Sequence, residues 1–168
     1  MQPRSSLLEP VILIADDQED DVILTKQALV RANVLNPLQV ARDGQEAMEY
    51  LLGTGKFENR AEYPLPDLML LDLNMPRMNG FELLRWVRSH PTLRALRIVV
   101  VSTSADSRDI DRAHELGANA FLVKVGDFRK YCTMLQAAVF FWLEITSAPV
   151  VRRPGNDWQS GERVAEAQ

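Results

Sequence analysis

Four short apolar runs in this chain each end on a residue type that can do chemistry. VILIA at 11–15 is followed by Asp16 and Asp17, and DLMLL at 67–71 by Asp72. The β-branched run at 98–101 is followed by Ser102, and AFLV at 120–123 by Lys124. Three carboxylates and one ammonium leave a net charge of −2, which a divalent hard cation neutralises. Mg²⁺ suits such a set: a few carboxylates, a carbonyl and retained waters. Beside the ion, the central carboxylate becomes a candidate nucleophile toward phosphorus. Lys124, Ser102 and a backbone N–H after Asp72 could stabilise the phosphoryl oxygens. Without the ion, like-charge repulsion is expected to raise the pKa of at least one acid. Alone, each piece is bland: a helix cap, a turn serine, a surface lysine. The joint pattern is not that of a solvated surface.

The residues converge only if the apolar runs are neighbouring strands. Val11–Ala15, Leu38–Ala41, Asp67–Leu71, Ile98–Val101 and Ala120–Val123 read as strands covered on both faces. Helical spacing fills the intervals. The first helix, roughly 19–32, carries Ile23, Leu24, Gln27, Ala28 and Leu29. Asp43 with Glu46 reads as the capped start of the second, which Gly53 and Gly55 end. Phe81, Leu84 and Val87 give the third its buried stripe, ending near His90-Pro91. The fourth runs from Asp106 to Leu116 and stops at Gly117, and the last from Asp127 to Thr146. The polar stretch 53–66 reads as a surface loop with at most one helical turn. Alternating strands and helices predict a three-layer, doubly wound (βα)5 sandwich of flavodoxin-like type, α/β in class. The parallel sheet order expected is 2-1-3-4-5, with its switch point at the carboxyl ends of strands 1 and 3.

Length and composition agree with one soluble domain. The chain has 168 residues, 46% apolar and 25% charged, enough for a core without metal or disulfide support. The net charge of −4 argues against a general nucleic-acid binder. The single cysteine, Cys132, makes no internal disulfide, so a cytoplasmic location is expected. The stretch Tyr131–Leu143 is 13 uncharged residues, too short for a bilayer span, so no membrane partner is expected. The expected organisation is a flexible N-terminus at 1–9, a domain at 10–146, and a C-terminal tail or arm at 147–168 containing Trp158.

Four segments in register resemble the receiver domain of two-component response regulators: ILIADDQEDD at 12–21, LMLLDLNMPRMNG at 68–80, VVVSTSA at 99–105 and GANAFLVK at 117–124. The intervals of 30 residues from Asp72 to Ser102 and 22 from Ser102 to Lys124 are those usual in the family. The resemblance implies that Asp72 is the phosphoryl acceptor, charged from a kinase phosphohistidine. It implies Asp17, Asp72 and the carbonyl of Asn74 as Mg²⁺ ligands, with Asp16 helping through water and Mn²⁺ as a substitute ion. Ser102 matches the mobile hydroxyl, Lys124 the phosphoryl-pairing lysine, and Phe121 the aromatic switch residue that turns inward as Ser102 moves.

The sequence departs from the family at three positions. Val125 replaces the usual proline after Lys124. A non-proline cis bond costs about 2.5–4 kcal/mol, so a trans bond with a shifted loop is expected there. Ser102 stands for the commoner threonine, and Phe121 for the frequent tyrosine, so a switch would act by shape alone.

The last helix carries more apolar residues than one face holds. Phe128, Cys132, Leu135 and Val139 fit the sheet side, with Trp142 or Leu143. At least one of Phe140, Phe141, Trp142 and Ile145 should then face solvent, which suggests a partner surface. A symmetric homodimer through helix 4, strand 5 and helix 5 is expected. The long loop before strand 3, LNMPRMNG and FFWLEI narrow the likeness to the small response regulators paired with bacterial phytochromes. That implies a sensor histidine kinase as partner, a bacteriophytochrome. Residues 147–168 are too few for a helix-turn-helix module with its own core, so no direct DNA binding is expected. The competing readings are a degenerate receiver acting as a phosphorylation-independent binding module, and an aspartyl phosphatase. The phosphatase needs a general acid where Asn74 stands.

Overall fold

The computed structural model describes residues 9–145. The expected tail at 147–168 lies outside the described residues, as does nearly all of the expected flexible N-terminus. Five parallel strands form one sheet: β1 (Ile12–Ala15), β2 (Leu38–Ala41), β3 (Leu68–Leu71), β4 (Arg97–Ser102) and β5 (Ala120–Val123). Their order is β2-β1-β3-β4-β5, as the alternating pattern required. Register places Ala15 beside Ala41 and Leu71, and Ser102 beside Val123, so the strands end together.

Strand alternation divides the interior in two. Leu13, Ala15, Met69, Leu71 and Ile98 point to one face, where α2 (Gly44–Leu52) and α3 (Gly80–Ser89) supply Tyr50, Leu51, Leu83, Leu84 and Val87. Ile12, Ile14, Leu68, Leu70, Val99 and Val101 point to the other, met by α1 (Glu19–Arg31) and α5 (Phe128–Phe140). Leu73 and Val100 join Ala113 of α4 (Ser107–Glu115) in a smaller cluster, with Phe81 and Phe121 at its margin.

Asp43, Asp106 and Asp127 cap helices where the sequence reading started them, and Asn79 caps one that it did not single out. Asp43 accepts from the Glu46 amide at 2.8 Å, Asn79 forms a capping box with Glu82, and Asp106 and Asp127 cap α4 and α5. Glu19, Asp20 and Asp21 fill the first turn of α1, where the helix dipole favours negative charge.

Two readings shift. α1 buries Val22, Thr25, Ala28 and Leu29, while Ile23 and Leu24 are exposed. The inward stripe follows Thr25, whose hydroxyl meets that of buried Tyr131 on α5 at 2.8 Å. The 53–66 loop holds its one helical turn at Gly55–Phe57, but it is not all surface. Phe57 is 2% exposed and forms an edge-to-face trio with Tyr50 and Tyr63. Among the described residues the last helix passes into a π-turn at Phe141–Ile145, with Phe140, Phe141 and Ile145 exposed, as its excess of apolar residues implied, and Trp142 half-buried; its expected end at Thr146 lies outside the described residues.

Candidate phosphoacceptor and metal site

The sheet ladder runs one residue past β1, β3 and β5 and fixes the rim. The Asp16 amide donates to the Ala41 carbonyl at 3.1 Å, and that of Asp72 to Ala15 at 2.9 Å. The Lys124 amide donates to the Ser102 carbonyl at 2.7 Å. Asp16, Asp72 and Lys124 are thus each held by a neighbouring strand. The loop after β3 is fixed as tightly. A Cβ at Gly80 would lie 2.3 Å from the Asp72 carbonyl oxygen, so only glycine lets α3 start there. Arg77, at φ 64°, reaches back to the Asp43 carboxylate, and the Gly44 amide donates to Met78. The loop is docked on the start of α2.

The side chains converge as the spacing implied. Asp16, Asp17 and Asp72 each offer an oxygen, all within 4.8 Å of one another. The Lys124 ammonium lies 2.8 Å from Asp16 Oδ2 and 3.2 Å from Asp72 Oδ1. Asp72 Oδ2 accepts the Asn74 amide at 2.8 Å. Asp16 Oδ1 accepts the Gln18 amide at 2.9 Å, and Asp17 Oδ2 the Gln18 side-chain amide at 2.6 Å. Asp17 Oδ1 is buried with no hydrogen-bond partner. A buried carboxylate oxygen without a donor is costly, and a hard cation is the partner that satisfies it beside two more carboxylates. The residues present fit Mg²⁺ or Mn²⁺.

The electrostatics differ from expectation in cause. Burial pushes the Asp16 carboxyl above its usual range, only partly offset by the bonds from Lys124 and Gln18. The Asp72 charge adds a smaller push, so desolvation outweighs like-charge repulsion. Burial also opposes the charge on Lys124, but its hydrogen bonds to Asp16 and Asp21 and the nearby Asp72 charge win, and its pKa rises.

Ser102 is fully buried, its hydroxyl accepting from the Ser104 amide at 3.2 Å. The Lys124–Val125 bond is trans, as expected. Phe121 is half-buried beside Leu73 and Val100, not among the acids. Phe140, Phe141, Trp142 and Ile145 belong to the end of α5 and take no part in the cluster. Asp21 escaped the sequence reading, yet its Oδ2 lies 2.7 Å from Lys124. The available signal was its place four residues after Asp17, in the first turn of a helix.

Comparison with known proteins agrees with this geometry. The response regulator receiver domain family matches residues 12–136. Response regulator Rcp1 of Synechocystis is 34% identical over 83% of this chain and 92% of its own length. The structure of the phosphorylated cyanobacterial phytochrome response regulator RcpA superposes with a TM-score of 0.77 at 33% identity, covering 84% of this chain and 99% of RcpA. That of the Mn²⁺-bound form of Rcp1 gives 0.74 at 34% identity, covering 84% and 99%. With the carboxylates, the serine and the lysine meeting on one rim of a β2-β1-β3-β4-β5 sheet, this chain belongs to the response regulator receiver domain family.

Proposed function

We propose that Asp72 accepts a phosphoryl group from a phosphohistidine of a sensor histidine kinase, and that the chain acts in red-light signalling downstream of a bacterial phytochrome. The carrying observation is the Asp72 carboxylate set between an orphaned Asp17 oxygen and the Lys124 ammonium. The relatives described as a phosphorylated phytochrome response regulator and a Mn²⁺-bound form support the reading. Asp17, Asp72 and the carbonyl of Asn74 would hold Mg²⁺ directly, with Asp16 bonding through water. When bound, the ion supplies charge neutralisation at the phosphoryl oxygens.

An Asp72 oxygen attacks phosphorus, the N–P bond breaks, and the departing imidazole nitrogen takes a proton. Lys124 and Ser102 bind phosphoryl oxygens, and Phe121 turns inward as Ser102 moves. Water later attacks phosphorus and releases phosphate, restoring the Asp72 carboxylate. The chain turns over no separate substrate. Val125, the feature that favours a binding module without phosphotransfer, still leaves Lys124 within 3.2 Å of Asp72.

Output passes through protein contact, without DNA binding. The symmetric homodimer uses α4, β5 and α5, with Phe140, Phe141, Trp142 and Ile145 at its surface. Exposures of 56%, 46% and 60% at Phe140, Phe141 and Ile145 support it. No helix among the described residues is long and apolar enough to cross a membrane. A cytoplasmic location follows from the kinase partner.

The test is intact mass after incubation with acetyl phosphate and Mg²⁺. A gain of one phosphoryl group that D72N abolishes supports the proposal. No gain in the Mg²⁺-bound wild type overturns it. Sedimentation of F141A tests the dimer; an unchanged dimer removes that residue from the interface.

A further inference from the structure

Lys124 has three ammonium protons and meets three carboxylate oxygens. Two of these belong to Asp16 and Asp72, at 2.8 and 3.2 Å. The third and shortest contact, 2.7 Å, is to Asp21, which is not one of the converging metal-site acids. Asp21 stands in the first turn of α1 with its side chain 34% exposed. Little else restrains the lysine tip. Val125 follows through an ordinary trans peptide, and a Cβ added at Gly126 would meet nothing within 4 Å. A cavity of 230 Å³ opens beside the ammonium, walled by Leu24, Thr103, Val125 and Tyr131 as well as by Asp21 and Lys124 themselves. A lysine on a four-carbon stem with room beside it has other rotamers to take.

The geometry points to Asp21 as a positioning residue that holds the Lys124 ammonium with its remaining proton directed at Asp72. This rests on the proposed phosphoacceptor role of Asp72. Asp21 does not compete with the phosphoryl group for the lysine. An ammonium that gives one proton to Asp16 and one to Asp21 keeps its third for Asp72, or for a phosphoryl oxygen there, with no bond to break first. Without Asp21, one proton of a largely buried ammonium has no acceptor. The side chain then turns into the cavity toward water, and its alignment on Asp72 is lost. Asp21 supplies from α1 the restraint that the Val125-Gly126 loop does not.

The test compares wild type, D21A, D21N and D21E at saturating Mg²⁺, reading the rate of phosphoryl uptake from acetyl phosphate by intact mass. D21A is expected to slow uptake about tenfold, as misplacement of a transition-state contact does. D21N and D21E, which keep an acceptor, should recover most of that rate. In a K124A background the D21A change should have no further effect. A second readout needs neither metal nor phosphodonor. The side-chain ammonium signal of Lys124 in ¹H–¹⁵N spectra should be visible in wild type and D21N, and lost to water exchange in D21A.

Uptake in D21A equal to or faster than wild type would overturn the positioning role. So would an equal further loss in the K124A background, or an ammonium signal indifferent to D21A. A wild type that takes up no phosphoryl group refutes the phosphoacceptor reading instead, while the ammonium spectra still judge the Asp21–Lys124 contact.

Discussion

Arg60 and Lys124 are both half-buried cations held by three oxygen atoms, but the oxygens differ in kind. The Arg60 guanidinium binds the backbone carbonyls of Tyr50, Leu51 and Tyr63 at 2.7, 2.8 and 3.0 Å. These acceptors are neutral, and burial pushes the arginine pKa down. Lys124 binds three carboxylates, and despite burial its pKa goes up. Around Arg60 the Tyr50, Phe57 and Tyr63 rings fit edge to face, and the Tyr50 hydroxyl donates to the Pro64 carbonyl at 2.6 Å. Around Lys124 a buried Asp17 oxygen has no donor. One region closes its hydrogen bonds within the chain and ties the α2–β3 connection down. The other carries excess negative charge and an open valence, which suits a ligand. A cation's burial therefore says little about its role until its acceptors are named.

The sharpest way to break this contrast is a pair of alanine variants. Lys124→Ala should slow phosphoryl uptake from acetyl phosphate by about 10²-fold or more, the usual loss for a transition-state donor. Arg60→Ala should leave that rate close to wild type. Equal losses would dissolve the distinction.

Stability should respond the other way. Arg60→Ala leaves three carbonyls short of a donor and is expected to lower unfolding free energy by about 3 kcal/mol, read by urea titration. Mg²⁺ should stabilise the protein by about 2.7 kcal/mol at a hundredfold excess over its dissociation constant. Asp17→Asn should remove that gain, and in metal-free protein should raise the melting temperature by relieving charge. A fall in metal-free Asp17→Asn would mean the orphaned oxygen has a partner in the chain.

The smallest effect concerns Tyr50. Loss of its hydroxyl in Tyr50→Phe should cost about 1 kcal/mol near neutrality. Burial pushes this phenol up to about 12, whereas an unfolded tyrosine ionises near about 10. The proton is held more tightly in the folded state. Its contribution is complete below the unfolded value and is lost as pH rises toward the folded one. Alkaline unfolding curves of Tyr50→Phe should be flatter over that window.

Strand order, most helix caps and the acid–lysine rim were legible because each rests on a local pattern: period, cap residue, or a polar residue directly after an apolar run. What escaped depends on partners that only the folded chain brings together. Asp21 looked like one more acid at a helix start until Lys124, 103 residues away, was folded against it. Tyr131 is buried in the core shared by α1 and α5, and its hydroxyl meets that of Thr25, 106 residues away. Arg88 looks like a surface arginine, yet it binds the carbonyls of Arg94, Leu96 and Gly117 and the side chain of Asn119. Phe57 sits in a polar stretch whose buried side becomes visible only with Tyr50 and Tyr63 in place.

The place of β5 in the sheet has a thermal consequence. It pairs with β4 alone, and all four of its residues are only partly buried, whereas β1 and β3 are interior and fully covered. Edge strands fray at lower free energy than the strands they lean on. Lys124 leaves from that fraying edge, while the aspartates leave from the interior. On warming, amide exchange should accelerate along β5 before β1 and β3, and phosphotransfer should fade below the temperature at which the domain as a whole melts.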